Sequence, residues 1–104
     1  MDKLQAMFEL QWDYLTRYGL NNSTTKDSVL AAIVELVEVL NETPWKSWKK
    51  HQKEPVKAKI AEELADVMHF VIEIAIESDI NFDEFFTAFV DKNAINRVRQ
   101  ETGY

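Results

Sequence analysis

The sequence has no cysteine, which excludes disulfides and thiolate metal sites alike. Glycine and proline occur only twice each, and they fall at boundaries rather than inside periodic segments. No uninterrupted apolar stretch reaches the ~18 residues that a membrane span needs. The opening Met-Asp-Lys-Leu-Gln lacks the charged and apolar regions of a signal peptide. These absences lead to the expectation of a cytoplasmic protein with no membrane partner. A net charge of −6 argues against nucleic acid as a partner. Histidine is also scarce, with only His51 and His69.

What is present is an ordinary globular composition. Hydrophobic residues make up 46% and charged residues 29% of 104 residues, which fits a single domain over 1–104 with one core. The distribution of charge is less ordinary. From Asp27 to Trp45 there are four acidic residues and no Lys or Arg, and from Ile60 to Asp91 nine acidic residues and again no base. Six lysines gather between Lys46 and Lys59, and further bases stand at Lys92, Arg97 and Arg99. Acids without a base along the same helix need another compensator, whether water, a distant base or a metal ion.

Periodicity and punctuation predict an all-α chain of four helices, resembling a four-helix bundle or half of one. The first runs from about Lys3 to Tyr18 and ends at Gly19. The second runs from about Asp27 to Glu42. Thr43-Pro44 reads as an N-cap and first-turn proline opening a short turn through Trp48. Glu54-Pro55 repeats that signal for a third helix reaching about Ser78. Asn81 with Glu84 resembles a capping box for a fourth, ending near Gly103. At ~100° per residue, Glu62, Glu63, Asp66, His69, Glu73 and Glu77 share a stripe of roughly 120° on the third helix. Glu35, Glu38 and Glu42 share one side of the second. The rest of both helices is almost wholly apolar, so each is expected to be largely enclosed. About 100 residues cannot easily enclose two such helices, so an oligomer is expected.

Glu35 and Glu38 are spaced i, i+3, as are Glu63 and Asp66, which puts each pair on one helical face. If the stripes face each other, four carboxylates converge, and one or two divalent cations would relieve their repulsion. All-oxygen ligation suits magnesium or manganese rather than zinc. The same stripes also fit solvated helix faces. His69 fits either a water-positioning role or a polar residue at the core edge, and Glu62 and Glu73 either outer ligands or exposed residues. Lys92, Asn96 and Arg99 share one face of the fourth helix, where a lysine and an arginine suit phosphate. They equally suit the negative end of a helix dipole.

Taken together, Glu35-Leu-Val-Glu38, Pro44-Trp45-Lys46-Ser47-Trp48-Lys49 and Glu63-Leu-Ala-Asp66-Val-Met-His69-Phe70 resemble the all-α, dimeric-type dUTPases. The wider superfamily includes the MazG-like pyrophosphohydrolases. The run from Lys92-Asn93 through Asn96, Arg99-Gln100 and Gly103-Tyr104 is similar to that family's C-terminal signature. The resemblance implies Glu35, Glu38, Glu63 and Asp66 as magnesium ligands. It also implies Lys92, Asn96 and Arg99 as triphosphate or sugar contacts, and a homodimer, with tetramers among MazG-like relatives. Gln11 resembles the glutamine by which the family reads uracil, and a side-chain amide offers the donor and acceptor that a uracil edge requires. Trp45 and Trp48 fit either base stacking or packing anchors. Lys46 and Lys49 fit either phosphate contacts or plain surface lysines. Two features depart from the family. Leu15-Thr16 stands where an asparagine usually follows the glutamine, and longer members continue beyond the Gly-Tyr pair.

The expected activity is magnesium-dependent hydrolysis of dUTP to dUMP and pyrophosphate. Manganese is expected to substitute, and Glu38 to accept the proton of the attacking water. The rivals are a MazG-like enzyme acting on another or several nucleoside triphosphates, and a non-catalytic helical interaction module.

Overall fold

The computed structural model describes residues 2–103. Four helices follow one another with no strand among the described residues: α1 Lys3–Arg17, α2 Thr25–Asn41, α3 Lys57–Glu77 and α4 Phe82–Glu101. Their ends are set by local chemistry. Asp2 caps α1, its carboxylate accepting from the Gln5 N–H at 2.8 Å. The helix closes in a Schellman turn: the Leu20 N–H donates to the Leu15 carbonyl while Gly19 takes φ 65°. Asp79 occupies the same left-handed position after α3, at φ 58°, where an L-residue costs about 1–2 kcal/mol. The Asn81–Glu84 capping box is present in both directions, at 2.9 and 3.1 Å.

Three boundaries differ from the sequence expectation. The cap of α2 is Thr24, which accepts from the Asp27 N–H. Thr43 opens no helix; its hydroxyl donates to the Leu40 carbonyl at 2.7 Å and so finishes α2. The residues after Pro44 form the expected short turn, with no helical first turn before it. Helix α3 begins past Glu54-Pro55, because Val56 is extended (φ −111°, ψ 112°) and offers no capping oxygen.

Helices α2 and α3 pack along each other, and α1 lies across α3. At that crossing sits the core of Phe8, Ile72 and Ala75, with Leu4, Met68 and Ile76 packed around it. Phe82 and Phe85 reach this core from the start of α4, their ring centroids 6.3 and 5.8 Å from that of Phe8. Beyond this anchor α4 buries no residue.

A single chain leaves much apolar surface uncovered. Its radius of gyration is 16.8 Å, against about 13 Å for a compact domain of this length. It exposes 8180 Å², where a monomer of its mass ordinarily exposes about 6,100 Å². Leu30, Ile33, Val34 and Val37 on α2 and Phe86 and Phe89 on α4 are exposed. The expectation that α2 is largely enclosed therefore fails within one chain, since only Ser28 and Ala32 of that helix are buried. No described helix is long and apolar enough to cross a membrane.

Candidate metal and nucleotide site

The packing of α2 on α3 turns their acidic stripes toward each other. Carboxylate oxygens of Glu35, Glu63 and Asp66 lie within 4.8 Å of one another. Burial raises the pKa of Glu63 above its ordinary value, and so do the negative charges of Asp66, Glu38, Glu35 and Glu42. Glu38 is thus close enough to act on Glu63 but stands outside the group of three. His69, one turn after Asp66, places Nδ1 3.9 Å from that carboxylate, an ion pair only when the ring is protonated. Three mutually repelling carboxylates present hard oxygen donors and no soft ones, a set that fits a magnesium- or manganese-like cation.

The cluster opens onto a cavity of about 780 Å³ between α1 and α3. Glu35 and Asp66 are among its lining residues, together with Gln11, Tyr14, His69, Phe70 and Glu73. Gln11 is 5% exposed, held there because α1 lays Phe8, Gln11 and Leu15 along one inward face. Tyr14 is the residue that sequence reasoning did not place here, while Phe70 entered only as part of a motif and Glu73 only as a possible outer ligand. Their spacing carried the signal: Tyr14 follows Gln11 by one turn, and Phe70 and Glu73 follow Asp66 by one and two. Glu73 is 6% exposed, neither a fourth member of the cluster nor a surface residue. Its pKa is raised by burial and then by the charge of Glu77. Glu62 is exposed.

Other expected site residues lie elsewhere in the single chain. Trp48 is 70% exposed and meets Trp45 edge-on at 5.6 Å. Lys46 sits over the Trp45 ring at 5.4 Å. Lys46, Lys49 and Lys53 line a separate hollow of about 440 Å³ in the α2–α3 connection, and Lys53 also pairs with Glu42 at 3.2 Å. Lys92 and Asn96 line a third hollow of about 320 Å³ on α4, beside Phe85 and Phe89. Arg99 lies further along the same helix. Lys92 and Asn96 thus line a hollow separate from the cavity that holds Glu35 and Asp66. Tyr104 of the Gly-Tyr pair lies outside the described residues.

Four helices, with carboxylates from two facing helices gathered beside an open cavity, define an all-α protein with a carboxylate centre suited to hard cations. The chain belongs to the dUTPase family, whose model matches residues 3–88. A curated relative is the dCTP pyrophosphatase of Enterobacteria phage T4, 32% identical over 71 residues, covering 58% of this chain and 42% of the relative. The chain therefore spans less than half the length of that relative. No solved structure matches it.

Proposed function

We propose that the protein hydrolyses dUTP to dUMP and pyrophosphate with magnesium held by Glu35, Glu63 and Asp66. The observation that carries this reading is one continuous cavity joining two of those carboxylates to the buried amide of Gln11. A nucleotide needs both ends of such a site, hard-cation ligands for its phosphates and a polar reader for its base. Family membership supports the same chemistry.

When bound, magnesium supplies charge neutralisation on the phosphate oxygens and acidifies water. Glu38 stands beside the three ligands without belonging to their cluster, which leaves its carboxylate to accept the proton of the attacking water. Gln11 holds the uracil edge, and the rings of Tyr14 and Phe70 shield the base from water. Lys92, Asn96 and Arg99 act on the triphosphate or sugar of a site completed by a second copy of the chain. The excess exposed surface supports that homodimer.

The T4 relative favours a second reading, in which the base is cytosine. Pyrophosphate release from dUTP, dCTP, dTTP and UTP, with magnesium or EDTA, separates the two. Metal-dependent release favouring dUTP, lost in Glu38→Ala, is the expected result. Release favouring dCTP moves the assignment to the second reading. No release from any nucleotide by a folded sample refutes both.

A further inference from the structure

Resting on that reading of the site, we propose that Glu73 is a specificity-determining residue that accepts the ring N3–H of uracil while Gln11 donates to a neighbouring carbonyl. Both side chains are more than nine-tenths buried, and both line the cavity that contains Glu35 and Asp66. No side-chain hydrogen bond or ion pair of either occurs among the described residues. The polar ends of both side chains therefore open on the cavity without a protein partner, where a ligand can supply their hydrogen bonds.

Placement fits a nucleotide laid along α3. Glu73 follows Asp66 by seven residues, two helical turns on the same face and about 10 Å along the axis. The phosphates therefore sit at one end of the stripe and the base at the other. The chemistry of the pair is also selective. A carboxylate only accepts hydrogen bonds, whereas an amide both donates and accepts. Uracil presents one ring N–H between two carbonyl oxygens. With Gln11 donating to one carbonyl, the N–H is left facing Glu73. Cytosine in that register turns an unprotonated N3 toward the carboxylate, lone pair against lone pair. An N–H donor from the base would also offset the burial of Glu73 and the neighbouring Glu77 charge, which together disfavour its ionised form.

The test is calorimetric binding of dUMP and dCMP to the full chain and to Glu73→Gln, run beside pyrophosphate release from dUTP and dCTP. The amide offers N–H groups that cytosine N3 can use, so the preference for dUMP over dCMP should fall by about tenfold or more. A merely structural role for Glu73 changes both affinities together and leaves the ratio unchanged, which overturns the proposal. N3-methyl-dUMP tests the same contact without any substitution. The wild-type chain should bind it at least about tenfold more weakly than dUMP, and equal binding overturns the proposal even if Glu73→Gln does not fold. The two readings fail separately. Pyrophosphate release with an unchanged ratio rejects Glu73 alone. A ratio that shifts with Glu73 in a chain that releases no pyrophosphate keeps the base contact and rejects the hydrolase. A wild-type chain that binds neither monophosphate rejects the contact.

Discussion

Substituting Glu63→Gln should move the stability of this protein in opposite directions with and without magnesium. In the metal-free chain, burial and the charges of Asp66, Glu38, Glu35 and Glu42 all disfavour the ionised form of Glu63. An amide of the same shape removes that repulsion, so the metal-free variant should melt at or above the wild-type temperature. With magnesium the order reverses, because the variant lacks one of three carboxylates that lie within 4.8 Å of each other. A cation that binds only the native state stabilises it by mass action. At ten times its dissociation constant the gain is about 1.4 kcal/mol, or roughly 6–11 °C for a domain of about 100 residues.

Thermal melts monitored by far-ultraviolet circular dichroism, with EDTA or with a magnesium titration, read both signs. The wild type should climb with magnesium toward that range, and Glu63→Gln should climb by less than half as much. Sodium chloride at matched ionic strength serves as the control for general screening. Equal magnesium shifts in both proteins would mean that the three carboxylates do not act together on a cation. A metal-free variant that melts well below the wild type would refute the claim that these acids repel one another in the native state.

Ile72→Ala should cost about 2–5 kcal/mol in urea unfolding, since Ile72 is 1% exposed at the crossing of α1 and α3; a loss under 1 kcal/mol would place the core elsewhere. Asn81→Ala should cost about 1 kcal/mol by removing the capping box of α4, again read by urea titration. The raised pKa of Glu73 carries a pH sign. Below the ordinary glutamate range the group is protonated in both folded and unfolded chains and contributes no penalty. As pH rises toward and through the elevated native value, the unfolded chain ionises first and the native state loses stability. The melting temperature of metal-free Glu73→Gln, relative to wild type, should therefore increase from pH 4.5 to pH 7.5, and a flat or falling difference contradicts the burial of a charge there. Leu30→Glu combined with Val37→Glu should convert a homodimer to a 12.2 kDa monomer in light scattering, because both side chains are exposed on one face of α2. A wild type already monomeric at high concentration would contradict the dimer.

Sequence fixes some of this molecule through contacts a few residues long and leaves the rest to contacts across the chain. Asn81 and Glu84 announce the start of α4 because a capping box is complete within four residues. The i, i+3 pairs on α2 and α3 announce the acidic cluster because each is set by one helical turn, and packing of the two stripes follows from their apolar flanks. Thr43-Pro44 and Glu54-Pro55 mislead for a related reason. A cap followed by proline is a local preference, and it yields where Thr43 bonds back to Leu40 and where Val56 stays extended. Glu73 could not be placed from its stripe alone, since the stripe runs from an exposed Glu62 to a buried Glu73 only because α1 crosses α3 near Ile72. That crossing depends on Phe8 meeting Phe82 and Phe85, residues more than seventy positions away in the chain. The α4 residues mark the opposite limit. Lys92 and Asn96 share a face as their spacing requires, yet the helix that carries them is anchored by its first turn and buries none of its residues. Where a helix face is left uncovered by its own chain, no periodicity within one sequence can say which residues it will meet.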